Sequence, residues 1–161
     1  VKTFIIHARK GILKGLSPRQ NRNIPPLNYQ KVYSIKDDFP ELEIIINGGI
    51  KNISEAKNHL NFVDGVMLGR AAYDDPFMLS DIDSEIYANT KIEISRKELL
   101  TEYLDYVHLM TKKGYDPKIM LKHVFGLKKG EKDAKRFRVK VAEIMNSSSL
   151  VENKDELLSM V

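Results

Sequence analysis

Cysteine is absent from the 161 residues. That excludes disulfides, a thiol nucleophile and thiolate-bound zinc or iron–sulfur clusters within this stretch, and leaves His, Lys, Arg, carboxylates or a bound cofactor to carry any chemistry. Long apolar runs are missing too. None approaches the roughly 18 residues that a membrane helix needs. No segment resembles a signal peptide, so the expected setting is cytoplasmic, with no membrane partner. A starting methionine is also lacking. Val1 to Ile6 reads as the middle of a buried β unit, which leads to the expectation that the sequence is the C-terminal part of something longer.

Acidic residues are missing from one region. None precedes Asp37, whereas Lys2, Arg9, Lys10, Lys14, Arg19, Arg22, Lys31 and Lys36 do. A second basic block runs from Lys112 to Lys140, opposed only by Asp116, Glu131 and Asp133. The formal net charge is only +4, so the positive potential is concentrated and not diffuse. Two separated basic regions suit two contacts with one polyanion, because phosphate attraction follows local potential and not net charge. Two solvated faces are the plainer alternative. At 42% hydrophobic and 30% charged, the composition is otherwise that of an ordinary soluble globular chain, neither collagen-like nor disordered.

The pattern changes near residue 80. Apolar runs at residues 3–6, 43–46 and 65–68 alternate with helical patterns at 29–39 and 54–62, which reads as βαβαβ with parallel strands. Ser54, followed by Glu55, Ala56 and Leu60, is the expected start of the second helix. The remainder reads as helical. Leu100, Leu104, Val107 and Met110 form one stripe after Ser95, and Pro117 fits the first turn of a helix containing Ile119, Met120 and Val124. Ala134, Phe137, Val141 and Ile144 form a third stripe. The expected organisation is an α/β portion at residues 1–80, a polar linker at 81–94 and a helical domain at 95–161. Ser147 to Ser149 is read as a break before a last short helix.

Each strand runs into a polar or glycine cluster: His7-Ala8-Arg9-Lys10, Asn47-Gly48-Gly49-Ile50 and Gly69-Arg70-Ala71-Ala72. In a parallel βα protein the C-terminal strand ends share one rim, where ligands bind. Glycines let backbone N–H groups approach an anion, the helix that follows supplies its positive end, and Arg70 adds a charged fork, so the last two clusters suit a phosphate. His7 has no acidic neighbour in sequence, which suits a neutral ring that hydrogen-bonds a ligand; a buried structural histidine is the alternative. His59 and His123 read as packing residues and His108 as a residue at the solvent edge. None of the four histidines forms a His-x-x-x-His or His-x-Glu pair, so no metal site is expected. The adjacent acids Asp37-Asp38 and Asp74-Asp75 read as a helix end and a turn. The long segment from Gly11 to Leu27, with Arg19 and Arg22, exceeds an idle βα connection and suits phosphate contact above the rim, or else an exposed lid with no partner.

Together these residues resemble the tRNA-dihydrouridine synthase family, specifically its A subfamily. The resemblance is carried by Phe4-Ile5-Ile6-His7-Ala8-Arg9-Lys10, by Gly15-Leu16-Ser17-Pro18 with Asn21-Arg22 and Ile24-Pro25-Pro26-Leu27, by Ile46-Asn47-Gly48-Gly49-Ile50-Lys51, and by the stretch from Asp64 to Tyr73. It continues more thinly through His123, Gly126-Leu127, Gly130, Ala134-Lys135 and Arg138. It implies about three βα units forming the C-terminal portion of an FMN-dependent TIM barrel, followed by an all-helical domain. The implied activity is reduction of uridine to 5,6-dihydrouridine in the tRNA D-loop, at positions 20 and 20a, with NADPH as reductant.

By the same resemblance His7, Asn47, Gly48, Gly49, Gly69 and Arg70 bind FMN, and Arg19, Arg22, Lys135 and Arg138 contact tRNA. The family's general acid is a cysteine from the first half of the barrel, so no catalytic residue is assigned here, and the missing N-terminal half of the barrel becomes an expected partner. The expectation is that the fragment alone is inactive. Another FMN-binding barrel oxidoreductase or a non-catalytic RNA-binding remnant are the other readings. Tight FMN binding separates the remnant from the enzymes, and tRNA binding separates the synthase from other flavoproteins.

Overall fold

Strand β1 (Thr3–His7), helix α1 (Pro18–Asn21), α2 (Tyr29–Asp38), β2 (Glu43–Asn47), α3 (Ile53–Leu60) and β3 (Gly65–Met67) follow one another in the first of two compact units of the computed structural model, Val1–Ala71. The second unit is Ala72–Val161. The structure describes residues 1–90, 93–147 and 150–161.

The three strands form one parallel sheet in the order β1-β2-β3, so each βα step moves to the adjacent strand in the same direction. Parallel neighbours need a crossover between them, and α2 and α3 provide it. Ile44 and Ile46 of β2 are buried, and Val32 of α2 and Ala56 of α3 are buried with them, while Ile5 on β1 remains 54% exposed. Side chains alternate along a strand, so Ile44 and Ile46 share one face, and His7, Asn47 and Ile5 occupy the opposite one. Lys36 and Asp64 tie α2 to the entry of β3 with an ion pair of 2.8 Å, and Ile44 N donates to the same carboxylate at 2.8 Å.

The expected start of α3 shifts. Asn52, not Ser54, is the cap: its side chain accepts from Glu55 N at 2.8 Å, and Ser54 already lies inside the helix. Asn in extended backbone just before a helix is a strong cap, and Glu55 three residues on closes the arrangement by accepting from Lys51 N at 2.8 Å.

Helix α4 (Arg70–Asp74) begins in the first unit and ends in the second, where a 3-10 turn at Pro76–Asp81 and α5 (Ile82–Glu85) follow. The start of the segment expected as a polar linker is therefore helical; its Lys91 and Ile92 lie outside the described residues. Helix α6 (Arg96–Lys112) starts at a capping box in which Ser95 accepts from Glu98 N and the Glu98 carboxylate accepts from Ser95 N. Helices α7 (Pro117–Leu121), α8 (Ala134–Ser147) and α9 (Leu150–Ser159) complete this unit. Pro117 occupies the first turn of α7 as expected, but the helix tightens to a 3-10 turn at Lys122–Val124. Leu100, Leu104 and Val107 of α6, Leu121, Val124, Leu127, Phe137, Val141 and Ile144 of α8, and Leu157 of α9 form one buried cluster. Of the break expected at Ser147 to Ser149, Ser147 is instead the last residue of α8, and Ser148 and Ser149 lie outside the described residues. Among the described residues no helix is long and apolar enough to cross a membrane.

Candidate functional site

The register of the sheet aligns the strand ends. His7 pairs with Asn47, and Asn47 pairs with Met67, so the three polar or glycine clusters leave the sheet from one row. The ladder extends one step further, with Ala8 N donating to Asn47 O at 2.7 Å. The Asn47 side chain reaches sideways and donates from Nδ2 to Met67 O at 2.8 Å, which fixes the β2 exit against β3.

Gly48 and Gly49 then turn the chain at φ of 115° and 75°, conformations that disfavour any side chain. Space is equally restrictive. A Cβ on Gly48 would stand 3.1 Å from His7 Cε1, and one on Gly49 would stand 2.5 Å from Leu27 Cδ1. The turn therefore lies directly against His7 and the end of the long loop. Tyr29, at the first position of α2, donates its hydroxyl to Gly48 O at 2.9 Å. Gly69 differs: a Cβ there would meet nothing within 4 Å, which leaves room beside the β3 exit.

The loop returns to its origin. Arg9 bridges to Leu27, and Asn28 N donates to Ala8 O at 2.7 Å. Arg9 Nη1 donates to the Pro25 carbonyl, while its buried Nε has no hydrogen-bond partner among the described residues. Arg70 Nη1 donates to Asn23 Oδ1 at 2.8 Å. Inside the loop, Ser17 and Gln20 form a capping box around α1, and Asn21 exchanges two hydrogen bonds with the Ile12 backbone. Arg19 and Arg22 stand exposed on this ordered turn.

Electrostatics follow from this packing. His7 is held below its ordinary value of 6.5 by partial burial first, then by the charges of Arg9 and Arg70. A neutral imidazole beside two guanidinium groups fits a site that receives an anion, because the positive charge is already supplied and the ring need only hydrogen-bond. The glycine turn, the open space at Gly69, Arg70 and the buried Arg9 Nε form a donor set suited to a phosphate-bearing group. The N-terminus of α3 is occupied by Asn52 and Glu55, so among these groups the turn and the guanidinium groups supply the donors.

His7, Asn47, Gly48, Gly49, Gly69 and Arg70 thus follow one strand-end row, with the loop carrying Arg19 and Arg22 anchored to the same row through Asn23. Sequence reasoning placed Arg9 in the first strand-end cluster without giving it a role, and did not select Asn23 or Tyr29. The usable signal for Tyr29 is its position: the residue that opens a helix after a βα loop stands at the rim of the preceding strand. In the second unit Lys135 and Arg138 are exposed on α8, while Phe137 is buried. Of the acids within this basic block, Asp116 caps α7 and Glu131 pairs with Arg96 at 3.1 Å. His59 is buried, His123 packs edge-on against Tyr73 at 5.6 Å, and His108 is half-buried. Among the described residues no group of three or more His, Cys, Asp or Glu could hold a metal ion.

Comparison with known proteins gives a consistent result. Residues 1–160 match the family described as dihydrouridine synthase. The chain is 43% identical over 137 residues to a tRNA-dihydrouridine(20/20a) synthase of Pseudomonas putida, a match covering 85% of this chain and 41% of that protein. It is 44% identical over 140 residues to a protein of the same name from Haemophilus ducreyi, covering 87% of this chain and 43% of that one. A third, from Vibrio cholerae, is 41% identical over 140 residues with the same coverage. The chain spans about two fifths of the length of the curated relatives it matches.

Proposed function

The chain belongs to the dihydrouridine synthase family, and from that premise we propose that it supplies the FMN-phosphate grip and part of the tRNA contact of an enzyme that reduces uridine to 5,6-dihydrouridine in tRNA. The observation that carries this reading is the His7, Asn47, Met67 row, from which the glycine turn and Arg70 both emerge. Adjacent parallel strands wound in one direction suit the last three βα units of a TIM barrel. The uncovered face bearing His7, Asn47 and Ile5 then becomes barrel interior, completed by further strands. The helical unit after it acts as an RNA-binding domain. A cytoplasmic enzyme with NADPH as reductant accords with this reading.

Within it, Gly48, Gly49, Gly69 and Arg70 hold the phosphate of FMN, and Asn47 keeps the turn in place through Met67. His7 stays neutral and hydrogen-bonds the cofactor without adding charge. When bound, FMN supplies the hydride that reduces the uracil 5,6 double bond. The proton for C5 has no thiol source here, since these 161 residues contain no cysteine. Exposed Arg19, Arg22, Lys135 and Arg138 neutralise tRNA phosphates.

The test titrates the chain with FMN and with riboflavin, which lacks the phosphate. FMN should bind more tightly by at least ten-fold, the worth of one charge-assisted contact. Equal affinity for the two, or binding of neither, contradicts the phosphate grip.

A further inference from the structure

The rim turn is held from behind by aromatic residues that no phosphate contact requires. Tyr29 donates to Gly48 O at 2.9 Å, and its ring meets His59 edge-on, with centroids 4.4 Å apart. His59 is buried, and its Nδ1 shares a hydrogen bond of 2.6 Å with the Tyr33 hydroxyl. Tyr33 in turn stacks on Phe62 at 4.5 Å. Helices α2 and α3 are therefore locked together by Tyr33, His59 and Phe62, and the lock presents one hydroxyl, that of Tyr29, to the turn.

This arrangement bears on function because both turn glycines have positive φ, and a flexible pair of glycines loses much backbone freedom when ordered. A turn already fixed before the ligand arrives does not lose that freedom on binding. From these contacts we infer that Tyr29 is a positioning residue for phosphate recognition: its hydroxyl holds the Gly48–Gly49 turn in the shape that receives the anion, with the His59 ring packed against it. Burial and the nearby Glu55 carboxylate raise the Tyr29 hydroxyl above its ordinary value, so it remains a donor at neutral pH. The inference rests on the phosphate grip proposed above and adds a residue that touches no ligand.

The experiment measures FMN and riboflavin affinities of the chain, of Tyr29→Phe and of Tyr33→Phe, with melting temperatures and with N–H order parameters of Gly48 and Gly49. Tyr29→Phe should lose about five-fold of the preference for FMN, the worth of one neutral hydrogen bond, with riboflavin affinity unchanged and lower order parameters at the two glycines. Tyr33→Phe should lower the melting temperature while keeping the preference. If Tyr29→Phe retains the full preference, if Tyr33→Phe lowers it equally, or if Tyr29→Phe does not fold, Tyr29 has only a structural role and the inference is overturned. Absence of any preference in the unsubstituted chain instead removes the phosphate grip itself, so the two failures are told apart.

Discussion

Arg70 and Asn23 are joined by a hydrogen bond of 2.8 Å although 47 residues separate them. Arg70 leaves β3 and Asn23 sits near the end of the long loop, so this contact anchors the loop to the strand-end row. It occupies one of the five N–H donors of the guanidinium and fixes the plane of the rest. Arg70→Ala should lower FMN affinity by roughly ten- to a hundred-fold, corresponding to about 1.5–3 kcal/mol for a charge-assisted contact. Fluorescence titration measures it; unchanged affinity in a folded variant would remove Arg70 from the grip.

Lys135 and Arg138 lie one helical turn apart on α8 and are both exposed. Replacing both with Ala should weaken binding of an unmodified tRNA transcript and reduce the slope of log affinity against log salt by about 1–2, while FMN affinity stays the same. Filter binding across a salt series provides the reading. An unaltered slope would leave α8 as a solvated face.

Two histidines of the first unit respond to acid in one direction. Burial holds His59 below its ordinary value of 6.5, with Glu55 opposing, and His7 is lowered by burial, Arg9 and Arg70. The groups around His59 are Tyr29, Tyr33 and Glu55. A group whose folded value is lowered takes up protons first in the unfolded chain, so stability is full above 6.5 and falls as pH drops below it. Thermal melts between pH 7.5 and pH 5.5, roughly one unit either side of the ordinary histidine value, should show the first unit weakening with acid. His59→Leu should flatten that dependence, and a variant as acid-sensitive as the parent would contradict this assignment.

Phe137 is fully buried at the centre of the helical unit. Phe137→Ala removes that ring from a closed core and should cost about 3–5 kcal/mol, read as a lower urea midpoint for the second unit. A loss below about 1 kcal/mol would mean that the site collapses to fill the space.

Local periodicity made much of this structure legible. Phe137, Val141 and Ile144 in α8 are buried where their spacing of three to four placed them, and β2 forms over the apolar run at residues 43–46, whose Ile44 and Ile46 are buried. Glycines and an arginine just past successive apolar runs pointed to the rim for the same reason, since a strand's end is visible in sequence. The cap at Asn52 was displaced because Asn and Ser are both good caps, and only the backbone geometry decides between them. The bonds from Arg9 to Pro25, from Arg70 to Asn23 and from Tyr29 to Gly48 join residues 16, 47 and 19 positions apart. Such contacts depend on how the loop folds back over the sheet, and no local pattern encodes that.

The central claim is that these residues serve dihydrouridine formation, and a chimera tests it most directly. The matched 137 residues of the Pseudomonas putida relative are replaced by their counterparts from this chain, and the product is given FMN, NADPH and unmodified tRNA. The expected result is dihydrouridine, mapped by mass spectrometry to the positions the parent modifies and lost with Arg70→Ala, while the 161-residue chain alone forms none because three strands cannot close a barrel. A folded chimera that binds FMN and tRNA yet forms no dihydrouridine, or turnover by the chain alone, would contradict it.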